Sequence, residues 1–187
     1  MKRAFLIFTL LCVSVFSTAC INNKAVQELN DKALLSMNKG EYNQAIEYLK
    51  SSLELDNNIY ETHYNLAVVY TQNDDYKNAI EEYIKAININ PQNPDAYYSM
   101  ATAQLNLITS IKTGVLRMDN ETGNLYKPED ADGSAQDLTN EEKTYINGLQ
   151  DSILKNYQKY LELNPQAEEK AEIEKTIAKI NEQRAQK

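Results

Sequence analysis

The residues able to do chemistry in this chain are few. His63 is the only histidine, and Cys12 and Cys20 are the only cysteines. A zinc site of the His/Cys kind gathers several such ligands in one place, and these three are widely spread. No nucleophile–base pairing can be built around His63, and no Gly-rich phosphate loop occurs. Glu129-Asp130-Ala131-Asp132-Gly133-Ser134 brings oxygen donors close together. A helix–loop–helix calcium site needs acids at more positions and a closing Glu; Pro128 and Thr139 stand at the first and last of those places. A solvated acidic loop is the expected outcome. The remaining carboxylates lie mostly four residues from lysines, as Glu81 does from Lys85, the spacing of exposed helical ion pairs and not of paired acid–base groups. No catalytic residue, metal or cofactor is expected, and the chain is read as a non-enzyme.

Cys20 is the exception, because of what precedes it. Lys2 and Arg3 form a basic head, Ala4 to Phe16 is an uncharged and mostly apolar run, and Ser17-Thr18-Ala19 are small. That is the pattern of a signal peptide, too short for a membrane-spanning helix. The small residues before Cys20 resemble a bacterial lipobox, with Ser17 where Leu is usual. The resemblance implies cleavage after residue 19, fatty acyl chains such as palmitate on Cys20, and a short tether over 20–25. Ordinary secretion with an incidental cysteine is the alternative. With Cys12 removed and Cys20 acylated, no internal disulfide is available, so packing alone must hold the fold.

Loss of Lys2 and Arg3 moves the formal charge from −8 to −10. An acidic surface argues against nucleic acid, which needs a basic patch, and against electrostatic attraction to anionic lipid. The expected address is therefore the bacterial cell envelope, reached through the lipid on Cys20, with the membrane contact made by the acyl chains.

The elements that position everything else come from a repeat. Tyr42 recurs as Tyr76, Ala45 as Ala79, Ile46 as Ile80, Glu47 as Glu81 and Leu55 as Ile89, each 34 residues on. A fixed period of this length marks stacked helical hairpins. Ile89-Asn90-Pro91 returns as Leu163-Asn164-Pro165 after 74 residues, one period plus 40. The apolar stripe Tyr60, Tyr64, Ala67, Val68, Tyr70, the break at Asn73-Asp74-Asp75, and the stripe Tyr76, Ala79, Ile80, Tyr83, Ala86, Ile87 describe two short helices and a tight turn. One hairpin cannot bury both faces; stacked neighbours can.

These residues resemble the tetratricopeptide repeat. Leu66-Ala67, Tyr70, Tyr76, Ala79, Tyr83, Ala86 and Pro91 match its pattern, and His63 falls where it carries a large packing aromatic. The first copy departs at Ser52 and Asn57, and the third at Ile153 and Tyr160, where alanines are usual. The expected architecture is an all-α, short α-solenoid of three helix-turn-helix repeats, 26–59, 60–93 and 94–165, forming one domain over 26–165. Residues 166–187 supply a capping helix, with Ala167, Ala171, Ile173, Ile177 and Ile180 facing the last hairpin, and a frayed tail.

The third repeat carries an insertion of about 40 residues, roughly 108–147. Tyr97, Ala101, Leu105, Ile108 and Ile111 keep helical spacing to about Lys112. Thr139 and Glu142 have capping-box spacing at the start of a second long helix through Ile146, Leu149, Ile153, Tyr157 and Leu161. Val115–Met118 and Asn124–Lys127 flank a turn-rich stretch and predict a small β-hairpin, with an irregular excursion as the alternative.

In tetratricopeptide arrays the first helix of each pair lines a concave face that holds partners. Carried onto this chain, that face comprises Asn30, Leu34 and Met37, then Glu61, Tyr64, Val68 and Gln72, then Asp95, Tyr98, Thr102 and Leu105. Some family members grip a terminal carboxylate there with Lys, Arg and Asn; no Lys or Arg falls at these positions, so that mode is not expected. The face suits a protein segment with apolar anchors, unless Tyr64 and Tyr98 serve only to pack the repeats. The resemblance implies a protein-binding scaffold or assembly factor, related in layout to pilotins and assembly-platform lipoproteins. A glycan or peptide ligand held by the insertion is the alternative from a different class.

Overall fold

The structure, a computed structural model, describes residues 23–119, 121–129, 131–134 and 137–185. Cys20 and the signal-peptide reading lie outside the described residues, as does Asp130 of the acidic loop. Helix α1 spans 23–38, followed by α2 (Tyr42–Leu55), α3 (Tyr60–Gln72), α4 (Tyr76–Ile89), α5 (Pro94–Lys112), α6 (Asn140–Leu163) and α7 (Lys170–Ala185). Strands β1 (Arg117–Met118) and β2 (Leu125–Tyr126) lie between α5 and α6 and pair antiparallel, Arg117 opposite Tyr126 and Met118 opposite Leu125. Consecutive helices pack side by side from α2 to α6, as a solenoid requires.

Local chemistry sets the turns. The second residue after the first helix of a repeat takes a left-handed backbone. Gly40 does so at φ 76, and 34 residues on Asp74 does so at φ 59. Glycine meets no steric penalty there, and aspartate is among the few side chains that tolerate it. The Tyr76 hydroxyl donates to Asp74 Oδ1 at 2.6 Å, and the Asp75 side chain caps α4. Helix α5 starts with Pro94 in its first turn, behind Asn93, whose side chain accepts from Asp95 N at 2.9 Å; proline loses nothing at that position because its missing N–H would have no helical partner.

The core is built of clusters of buried side chains, and the partly buried Ile80 packs against both of the larger ones. One cluster joins the first two repeats and α5 through Ala33, Leu49, Leu66, Val69, Tyr83 and Met100. Another joins α4 to α7 through Leu107, Ile111, Ile146, Ile153, Tyr157, Ile173 and Ile180. Ile153 and Tyr160, which stand where alanines were expected, are buried in α6, and the Tyr160 hydroxyl donates to Glu169 Oε2 at 2.9 Å. Helix α7 caps the array through Ile173 and Ile180, with Ala167 and Ile177 partly buried against the same cluster. Ala171 is exposed, contrary to expectation; with Ile173 and Ile180 anchoring the helix, it falls on the solvent side.

Small residues mark the closest helix approaches. Ala45, Ala67, Ala79, Ala86 and Ala101 have no exposed surface. Ala79→Leu inserts three carbons where α4 has no room and is expected to lower stability by about 1–3 kcal/mol, measured by urea denaturation. An unchanged midpoint overturns the 34-residue register.

Candidate functional site

The candidate site is the face built by α1, α3 and α5, the first helix of each repeat. It is best read by equivalent positions. Asn30, Tyr64 and Tyr98 are spaced by 34 residues, and the structure gives all three a packing role at the junction between repeats. The Asn30 amide nitrogen lies 2.9 Å from Val26 O, 3.0 Å from Ser52 Oγ and 3.0 Å from Thr62 Oγ1, tying α1 to α2 and α3. Tyr64 stacks on Tyr60 with ring centroids 5.7 Å apart, meets Tyr83 edge-on at 5.8 Å, and places its hydroxyl 3.2 Å from Ser99 Oγ. Tyr98 packs against Tyr157 at 6.1 Å and Tyr160 at 5.1 Å. The Tyr64–Tyr83 pair of the second repeat thus returns as Tyr98–Tyr157 in the third, across the insertion. These rings are supports of the face more than free anchors. Asn30, Tyr64 and Tyr98 are each partly buried, with hydrogen bonds at Asn30 and Tyr64 and ring contacts at Tyr64 and Tyr98 engaging them with neighbouring residues.

What remains presented is different. Leu34 is 54% exposed, and Glu61, Gln72 and Asp95 are exposed. Met37, Val68 and Thr102 are partly buried, and the Thr102 hydroxyl bonds back to Tyr98 O at 3.0 Å. Leu105 packs against the core and is presented less than expected. Burial, then Glu169 and Glu172, pushes the Tyr98 phenol above its ordinary range. Burial, then Tyr64, Asp95 and Glu61, does the same to Tyr60 more strongly. Both phenols are neutral wherever a protein partner would meet them.

His63 is buried and fully engaged. Its Nδ1 lies 2.6 Å from Glu82 Oε2 and its Nε2 lies 3.0 Å from Asn57 O, while Lys85 Nζ reaches the other Glu82 oxygen at 2.6 Å. The trio locks α3 to α4 and to the chain between α2 and α3. Both ring nitrogens are spent on the fold, which suits the packing position that the repeat resemblance assigned to His63. Among the described residues, no group of His, Cys, Asp and Glu side chains is arranged to hold a metal.

The insertion is ordered by a residue that the capping-box spacing disclosed only in part. Thr139 and Glu142 make the expected reciprocal cap, Thr139 Oγ1 accepting from Glu142 N at 3.1 Å and Glu142 Oε2 accepting from Thr139 N at 3.0 Å. Glu142, with no exposed surface, also accepts from Arg117 Nε at 2.9 Å and from Met118 N at 3.2 Å. One carboxylate therefore caps α6 and pins β1 to it. Its burial raises the carboxyl pKa, but the backbone bonds from Thr139 and Met118 and the Arg117 guanidinium outweigh that and hold it below the ordinary carboxylate range. A cleft of about 450 Å³ opens beside the hairpin, lined by Met118, Gly123, Asn140, Glu141, Thr144 and Tyr145. No signal in the one-dimensional pattern linked Arg117 to Glu142, since 25 residues separate them.

Comparison with known proteins agrees with this geometry. Tetratricopeptide repeat profiles match residues 29–59 and 69–107. The photosystem I assembly protein Ycf3 of Prochlorococcus marinus strain NATL2A is 39% identical over 72 residues, 37% of this chain and 42% of that protein. Ycf3 of Synechococcus elongatus is 28% identical over 102 residues, 53% of this chain and 58% of that protein. The chain thus spans about half the length of the curated relatives it matches. Among solved structures, the Arabidopsis OM64 tetratricopeptide domain superposes with a TM-score of 0.59 at 16% identity, covering 84% of this chain and 98% of that one. The first such domain of Spaghetti (RPAP3), bound to the HSP90 peptide SRMEEVD, gives 0.59 at 17% identity, covering 87% and 94%.

The expected address, a lipid anchor in the bacterial cell envelope, is overturned by these relatives, which are named for photosystem I assembly and not for the envelope. Among the described residues, no helix is long and apolar enough to cross a membrane. What the matches share with this chain is the repeat itself: residues 29–59 and 69–107 are tetratricopeptide repeats, and the fold that holds them is an all-α solenoid of that kind.

Proposed function

We propose that this chain is a non-enzymatic scaffold or assembly factor that holds a protein partner on the face of α1, α3 and α5, with the β1–β2 hairpin extending that surface. The observation that carries the reading is the set of side chains that the fold presents and does not use: Leu34, Glu61, Gln72 and Asp95 along the three first helices. His63, by contrast, is consumed in packing. The curated relatives are named as assembly proteins, and similar folds have been solved with peptides bound. Both support a partner-binding role here. The binding unit is residues 26–165, with 166–187 as its cap. Met37, Val68, Thr102 and Leu105 contribute apolar edge to the face, and Tyr64 and Tyr98 act by supporting it.

The test must spare the supporting rings. Leu34→Ala with Tyr126→Ala removes two exposed apolar side chains, one on α1 and one on the hairpin, 54% and 50% exposed. A photo-crosslinker at each position, followed by mass spectrometry from cells, identifies the partner. The double change is then expected to weaken capture of that partner by about 2 kcal/mol if the two are hot spots, with an unaltered thermal melt. Full binding by the double variant places the interface elsewhere, on the convex face or on α7.

A further inference from the structure

The two ends of the repeat stack are finished differently. At one end α7 covers α6 and buries Ile173 and Ile180. At the other, the outer side of α1 is open among the described residues, and the repeat register shows what that means. Thr62, Leu66 and Val69 on α3 are buried, and so are their equivalents Ala96, Met100 and Ala103 on α5. The second helix of the preceding repeat covers them: Thr62 Oγ1 lies 3.5 Å from Ser52 Oγ on α2, and Ala96 clusters with Ala86 of α4. The same positions on α1 are Glu28, Lys32 and Leu35, and all three are exposed. Glu28 and Lys32 pair at 2.9 Å, the polar finish that a terminal repeat needs. Leu35 supplies no such finish. At 60% it is the most exposed large apolar side chain among the described residues. We propose that this face of α1 pairs with the same face of a second copy of the chain, the two helices antiparallel about a two-fold axis at Leu35.

The charges choose the occupant. Asp31 stands four residues before Leu35 and Lys39 four after, so the three follow one side of α1 and its first turn outward. Both charges are exposed, and neither makes an ion pair among the described residues. Asp31 also borders a cavity of about 450 Å³ between α1 and α3, and no described Lys or Arg lines it. An antiparallel two-fold at Leu35 sets the two leucines against each other and each Asp31 opposite the other copy's Lys39. The surface is thus self-complementary, as an isologous contact must be. A parallel pairing would set Asp31 against Asp31 and Lys39 against Lys39.

The contact also continues one the chain already makes. Against a second copy, α1 would use the positions at which α3 meets α2 and α5 meets α4. Because α7 covers the other end of the stack, pairing through α1 closes at two copies and does not propagate. One leucine from each copy makes the dimer a weak and reversible one.

The experiment is sedimentation equilibrium of the full chain at about 0.15 M salt, where long-range charge effects are screened. A monomer–dimer equilibrium is expected. Asp31→Lys and Lys39→Asp each turn both ion pairs into like-charge contacts, and each is expected to weaken the dimer about tenfold. Thermal melts report that both variants are folded. Net charge alone predicts otherwise: the chain carries −8, so Asp31→Lys would reduce general repulsion and strengthen association. An equimolar mixture of the two variants puts opposite charges back on both sides of the axis and is expected to recover the original association. A chain still monomeric at about 1 mM, association that survives either swap, or a mixture that recovers nothing overturns the proposal. A photo-crosslinker at position 35 in cells tells the occupants apart, and it is expected to join two α1 helices. A crosslink to residues 4–16 of the same copy gives the face to the chain's own apolar stretch. A crosslink only to another protein gives it to a partner. Either result overturns the proposal.

Discussion

Glu142→Ala should destabilise the third repeat by about 4 kcal/mol and release the β-hairpin from α6. The figure combines the loss of a helix N-terminal cap, about 1 kcal/mol, with the removal of one partner from a largely buried charge pair. The lower part of the usual range applies because the Arg117 side chain is 23% exposed and can recover some hydration. Urea denaturation measures the loss, and hydrogen exchange at Met118 N reports the hairpin directly, since that amide donates to Glu142 Oε1 at 3.2 Å. Glu142→Gln retains an acceptor for Met118 and loses only the charge, so a smaller effect is expected. The same residue sets an acid sensitivity. Its folded pKa lies below that of a free carboxylate, so its stabilisation is fully present above the ordinary carboxylate range and is lost as pH falls through the folded pKa. The hairpin should loosen in acid before the first two repeats unfold. Cooperative loss of hairpin and repeats at one pH, or an unchanged exchange rate at Met118 in Glu142→Ala, defeats this account.

Tyr83→Ala should cost about 3–5 kcal/mol, the range for removing a large buried aromatic ring. Tyr83 is 2% exposed at the centre of the first core cluster. Its ring supports Tyr64 edge-on at 5.8 Å, and burial raises its phenol to about 12. The loss should therefore spread to the binding face, weakening partner capture even though Tyr83 touches no partner. Tyr83→Phe keeps the ring and loses only the hydroxyl, so a much smaller cost is expected. If Tyr83→Ala and Tyr83→Phe unfold at the same urea concentration, ring packing is not what joins α3 to α4. Full partner binding by a folded Tyr83→Ala variant would separate the face from its aromatic support.

Much of this molecule was legible along the chain, for a physical reason. Helical hairpins are local: Tyr42, Ala45 and Ile46 recur as Tyr76, Ala79 and Ile80 because each unit meets the same neighbours, so a repeated contact leaves a repeated residue. The Thr139–Glu142 cap was legible because both partners lie within one helical turn, and the hairpin because its turn residues sit between two short apolar stretches. The tertiary structure decided what local order cannot carry. Position 30, 64 or 98 is the same place in the repeat, yet only stacking shows that Asn there reaches Ser52 and Thr62 while Tyr there meets Tyr83 or Tyr157. Arg117 finds Glu142 because α5 and α6 fold back on each other and bring the hairpin to the start of α6. The cavity between α1 and α3 exists only once two repeats stack, since its lining comes from both. Periodicity names the residues that pack within a unit; the side chains left over to meet a partner are set by which neighbours the folded stack has already satisfied.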